Sequence, residues 1–116
     1  MTYLLLLHAE EAGWDKMTPA QHEEAVAAYG AYTQALREAG VMVGANRLQP
    51  SSAATSVKVV DGKTQVQDGP YAETKEQLGG YYMITAPNLD GAIEWAVRCP
   101  GSHHGTIEIR PLWEMG

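Results

Sequence analysis

Cysteine is almost missing from this chain: Cys99 stands alone among 116 residues. A single thiol excludes an internal disulfide framework and fits a reducing compartment. Basic residues are scarce as well, 8 Lys and Arg against 14 Asp and Glu, for a net charge of −6. Both signs are spread along the chain, so no basic patch is on offer. That argues against direct nucleic-acid contact and against attraction to an anionic membrane. Long hydrophobic runs are absent too. The stretch Leu4 to Leu7 is too short for a membrane span or a signal core, and no positive segment precedes it. There is no solenoid-period repeat and no low-complexity tract. What remains is the expectation of a soluble cytoplasmic protein, one domain over residues 1–116. Its 45% hydrophobic content is enough for a core without staples.

Tyr3 to His8 reads as a strand covered on both faces, because four leucines in a row must point both ways. Glu10 to Lys16 reads as a polar loop holding Trp14. Thr18-Pro19-Ala20-Gln21 is a helix start, with Thr18 as cap, Pro19 in the first position and Gln21 completing a capping box. The helix should run to about Ala39 and stop at Gly40, burying Val26, Tyr29, Thr33 and Leu36. Gly30 inside it suggests close packing against a neighbour. Val41 to Arg47 follows as a strand, and Pro50 to Ala54 as a linker. Thr55 to Val60 and Thr64 to Gln67 then form two alternating runs about Asp61-Gly62, a hairpin signal. After Tyr81 to Thr85, a strand, Asn88 caps a second helix with Leu89, Ala92, Ile93, Ala96 and Val97 as its apolar stripe. Thr106 to Trp113 is the last strand, with Ile107, Ile109 and Trp113 on one face and Glu108 and Arg110 on the other.

Two helices with single apolar stripes imply helices on one face of a mainly antiparallel sheet. The fold expected is α+β, a ferredoxin-like split βαβ arrangement with an added hairpin. The second sheet face needs a cover as well. Homodimerisation by sheet-on-sheet packing is the simplest way to supply it.

Between the hairpin and the fifth strand, Asp68-Gly69-Pro70-Tyr71-Ala72-Glu73-Thr74-Lys75-Glu76-Gln77-Leu78-Gly79-Gly80-Tyr81-Tyr82 gathers polar groups without periodicity. This stretch resembles the signature of the YCII-related proteins, in the branch named for an Asp-Gly-Pro-Phe motif, with Tyr71 in place of the Phe. Tyr29-Gly30-Ala31-Tyr32, Ala39-Gly40-Val41, Leu48-Gln49-Pro50, Glu94-Trp95-Ala96 and Glu108-Ile109-Arg110-Pro111 extend the resemblance over nearly the whole chain. It implies a dimeric α/β barrel. It also implies kinship with small cofactor-free isomerases, lactone-processing enzymes and monooxygenases of that fold, and with relatives beside or fused to sigma factors. Another branch carries a proposed His/Asp pair, at positions that fall near Tyr29 or Gly30 and at Cys99 here. Neither residue type is present, so that pair is not carried over.

Several residues have both a chemical and a plain structural reading. Asp68 is a general base or a former of the Asp-Gly-Pro turn. Glu73 and Glu76 lie three apart on what reads as one helical turn. One of them is a buried acid or base, or both are solvated. Lys75 holds an anionic group or faces water, and Arg110 does the same or pairs with Glu108 or Glu73. His8, ending the first strand, is an acid/base at the same cavity as Asp68 or a histidine satisfied by backbone. Tyr82 lines a pocket or packs in the core. His103-His104 points its rings to opposite sides, and with His22 remote no zinc set exists, so no metal is expected. Cys99 reads as a buried helix-end residue. Gly79-Gly80 permits a bend or a close backbone approach rather than phosphate binding.

Three functions follow from these readings. One is a cofactor-free enzyme moving protons on a small organic molecule, with Asp68, Glu73 or His8 catalytic and Lys75, Glu76, Arg110 and Tyr82 binding, the cations suiting an anionic group. The second is a non-catalytic dimeric module that binds a ligand or partner in transcriptional regulation. The third is a structural dimer with a vestigial cleft.

Overall fold

The computed structural model describes residues 1–114. β1 (Thr2–Ala9) leads through a short helix α1 (Glu11–Asp15) to the long helix α2 (Pro19–Glu38) and β2 (Met42–Arg47). A 3-10 turn (Ser51–Ala53) opens a hairpin of β3 (Thr55–Val60) and β4 (Lys63–Asp68). β5 (Gln77–Thr85), α3 (Leu89–Arg98), a second 3-10 turn (Pro100–His103) and β6 (Thr106–Pro111) complete the chain. Four strands form one antiparallel sheet in the order β2-β5-β1-β6, and the hairpin stands as a separate two-stranded unit. This is the expected ferredoxin-like α+β arrangement with its added hairpin. Among the described residues no helix is long and apolar enough to cross a membrane.

Local chemistry sets the boundaries. Thr18 accepts from the Gln21 amide while the Gln21 side chain accepts from the Thr18 amide, the reciprocal capping box. Asn88 caps α3 through the Gly91 amide. Asp61 and Gly62 both take positive φ, 52° and 74°, as a two-residue hairpin turn requires. Glu10 to Lys16, by contrast, is not a loop. It contains α1, pinned by Trp14, which stacks on His22 at 4.3 Å and carries the Arg47 guanidinium 4.6 Å from its ring centre.

Alternation along β1 sends Tyr3, Leu5 and Leu7 toward the helices and Leu4, Leu6 and His8 to the opposite face. Tyr3, Leu5, Tyr32, Leu36, Tyr82, Ile84, Ala92, Ala96 and Cys99 make the core. Val26, expected in the stripe of α2, is exposed. Burial on that helix is confined to Tyr32 and Leu36, in its second half. Gly30 meets no neighbour within 4 Å of a built Cβ, so it serves no close contact within the described residues. The stripe of α3 divides. Its small residues Ala92 and Ala96 are buried, and the bulkier row Leu89, Ile93, Val97 is left exposed. Trp113 lies beyond the end of β6 and is exposed.

Burial pushes the Tyr29 phenol up to about 12, with Cys99 adding to the shift. It also raises Tyr32, Tyr82 and the Cys99 thiol. Unfolded, such phenols ionise near 10 and thiols near 8.5. The stability these neutral groups contribute is therefore intact below those values and is lost as pH rises through the folded ones. Urea midpoints should fall steadily from about pH 9 upward. Tyr29→Phe should flatten that fall, and an unchanged slope would remove Tyr29 from the account.

Candidate functional site

A glycine pair aims the residues of the site. Along β5, Gly80 pairs with Leu7 and Leu78 pairs with His8, so Gly79 is a bulge. Its carbonyl accepts from the Leu48 amide at 2.9 Å. A Cβ on Gly80 would lie 2.8 Å from the Asn46 carbonyl oxygen, so glycine there permits the close approach of β2. The extra residue flips the alternation. Leu78, which an unbroken strand would turn toward the helices, instead shares the face of His8.

That end of the sheet borders a cleft of about 790 Å³. Leu48, Pro50, Ala53, Pro70, Tyr71 and Leu78 give it a mostly apolar lining, in which His8 supplies an imidazole and Glu76 a carboxylate. The far wall is the base of the hairpin. Gly69, with φ of 98°, donates to the Ala54 carbonyl at 2.7 Å, and the Ser56 hydroxyl donates to the Gly69 carbonyl at 2.9 Å. Two seams hold the walls together. The Glu11 carboxylate accepts from the Ser51 amide at 2.6 Å and the Ser51 hydroxyl at 2.8 Å. The Glu11 amide donates to the Gln77 side chain at 2.9 Å.

His8 Nε2 lies 3.0 Å from Glu108 Oε1, and Arg110 donates to Glu108 Oε2 at 3.3 Å. These three stand together because Leu6 pairs with Glu108 and Leu4 with Arg110 on the same sheet face. The hydrogen bonds from His8 and then Arg110 hold the Glu108 carboxyl below its ordinary value. An ionised carboxylate only accepts, so Nε2 bears a proton, and in the neutral imidazole that leaves the lone pair on Nδ1. Glu108 therefore contributes stability above the usual glutamate range, and that contribution is lost as pH falls through its lowered value. In Arg110→Ala, the carboxyl titration of Glu108 followed by carbon NMR should move up toward the usual range; an unmoved midpoint would count against the Arg110 contact.

The other residues singled out in the sequence are dispersed. Asp68 is exposed at the end of β4 and makes no side-chain hydrogen bond among the described residues. Residues 70–76 form an irregular segment, not a helical turn. Glu73 is exposed there, and Lys75 reaches only toward Glu10, 3.9 Å away. Glu76 borders the cleft and accepts from the Thr106 hydroxyl at 2.8 Å. Tyr82 faces the helices, bonded to Thr33 at 2.9 Å and edge-on to Tyr32. Thus His8 and Glu76 meet at the cleft, Arg110 stands behind His8 through Glu108, and Asp68, Glu73, Lys75 and Tyr82 lie apart. Glu11 and Ser51 tie the cleft together without having been marked by any sequence pattern, and Gln77 does so from within the signature stretch, where it carries no assigned role.

The sequence profile of the YCII-related domain matches residues 1–116. The chain belongs to the YCII-related family. An uncharacterized protein of Rhizobium meliloti (strain 1021) is 34% identical over 114 residues, covering 97% of this chain and 92% of the relative. In this YCII-related chain, Tyr29 and Cys99, near which the other branch's proposed His/Asp pair falls, do come close enough to influence each other. Both are neutral there at ordinary pH. A built Cβ at Gly101 would lie 2.7 Å from the Tyr29 hydroxyl, so that position is closed rather than a pocket.

Proposed function

We propose that the cleft binds a neutral, largely apolar organic molecule bearing one carbonyl or hydroxyl group, and that the protein moves a proton on it without a cofactor, as an isomerase- or lyase-like enzyme. One observation carries the reading: among the described residues the mostly apolar lining holds one imidazole, His8, backed by the Glu108 carboxylate, with Glu76 at the border and no lysine or arginine. His8 Nδ1 is the base, and Glu108 fixes its tautomer and balances the imidazolium that forms. The absence of a lining cation favours a neutral ligand over an anionic one. A homodimer is part of this proposal, since Leu4, Leu6, Tyr81 and Met83 share the sheet face left bare by the helices.

The test is deuterium incorporation from heavy water at carbons next to the carbonyl in a panel of neutral lactones and ketones, followed by proton NMR. At least one compound should exchange, and His8→Asn should slow it about 100-fold or more. Compounds that bind without exchange would transfer support to a second reading, a non-catalytic ligand- or partner-binding module linked to transcriptional regulation. The exposed row Leu89, Ile93, Val97 on α3, away from the cleft, is what favours that alternative.

A further inference from the structure

We infer that the β3–β4 hairpin is an arm that packs on a second copy of this chain, laying a valine face over the partner's bare sheet. Pairing places Thr55, Val57, Val59, Thr64 and Val66 on one face, with Asp68 at its base, and Ser56, Lys58, Lys63, Gln65 and Gln67 on the other, with Val60 beside the turn. That alternation is the pattern of a half-buried hairpin. Yet Val57, Val59 and Val66 are 64%, 63% and 64% exposed, and the hairpin packs on no other element to more than a marginal extent. An isolated two-stranded hairpin is marginal in water, so a face written for burial calls for a partner surface.

The molecule's shape agrees. Its radius of gyration is 16.2 Å over extents of 48 × 47 × 18 Å, against about 13 Å for a compact chain of this length. The chain is a thin slab with an outlying arm. The arm leaves from the bare side of the sheet, because its base and His8 line the same cleft.

In a homodimer the arm enlarges an interface that sheet against sheet leaves small. A face four strands wide and about six residues long offers roughly 400 Å² at ordinary strand spacings. A standard interface needs about 800 Å² per partner, so sheet against sheet falls short. The hairpin face adds roughly 200 Å² of projected area, and in a two-fold dimer each copy both gives an arm and receives one. The arm then borders the partner's cleft beside His8 and Glu108.

This inference rests on the proposed homodimer, and the experiment separates the two. A nitroxide is placed on Lys58→Cys, on the polar hairpin face; Cys99 is buried and stays unlabelled. Labelled chain is mixed with isotope-labelled native chain. Broadening of the Leu4, Leu6 and Met83 methyl signals of the native chain is the expected result. A dimer without that broadening, or with broadening on α3 instead, overturns the arm and leaves the dimer standing. A monomer at NMR concentration overturns both. In sedimentation equilibrium, Val57→Lys with Val66→Lys should weaken the dimer at least tenfold while circular dichroism stays native, and an unchanged dissociation constant overturns the arm.

Discussion

Gly105→Ala lowers the unfolding free energy by about 2–4 kcal/mol, the cost of forcing atoms into a filled backbone site. Gly105 sits just before β6, donating to the Gly101 carbonyl at 2.9 Å. A Cβ there would overlap the His8 carbonyl oxygen and crowd the Cα and Cβ of Ala9 at 3.1 Å. None of these is the end of a flexible side chain, so relief requires β1 and β6 to part where His8 pairs with Thr106. Gly30→Ala is the matched control. Nothing lies within 4 Å of its built Cβ, so the helix preference for alanine should raise stability by about 1 kcal/mol. Urea unfolding of both variants checks the pair, and equal losses would mean the packing at Gly105 is described wrongly.

Glu11→Ala should cost about 2 kcal/mol and loosen the cleft at the same time. Its carboxylate takes two short hydrogen bonds from Ser51, and hydrogen bonds to charged groups are worth about 1.5–3 kcal/mol each before relaxation and water recover part of it. Without them the 3-10 turn bearing Pro50, Ala53 and Ala54 is no longer tied to α1. Amide exchange at Ser51 to Thr55 should quicken at least tenfold while β1 and β5 stay protected. Glu11→Gln, which keeps one acceptor, should lose about half as much. Uniformly faster exchange over the whole chain would show that Glu11 supports the fold at large and not the cleft.

Both positions lie beyond what adjacent residues encode. The caps at Thr18 and Asn88 and the Asp61-Gly62 turn are written in adjacent residues, and each forms as its residue types dictate. Gly79-Gly80 announced a bend or close approach and provides both. The face on which Leu78 lands, however, depends on the register between β1 and β5. Glu11 meets Ser51 and Gln77 across separations of 40 and 66 residues, which leave no periodic trace. The stripe of α3 was legible as apolar. Its division into a buried alanine row and an exposed bulky row follows from how closely the helix sits on the sheet, and periodicity does not encode that distance. His8 was singled out by its place at a strand end. Its partner Glu108 was read as part of a strand face because the diagonal neighbour across β1 and β6 appears only once register is known.

The proposed neutral-ligand cleft is formed by His8, Glu76 and the base of the hairpin. Amide and methyl NMR spectra of the native chain, titrated with matched neutral and anionic fragments, test it most directly. Shifts are expected at His8, Leu48, Tyr71 and Leu78 with neutral lactones and ketones, stronger than with the corresponding carboxylates. Carboxylates binding more tightly, or shifts that gather around Lys75 and Asp68 and spare His8, would contradict it.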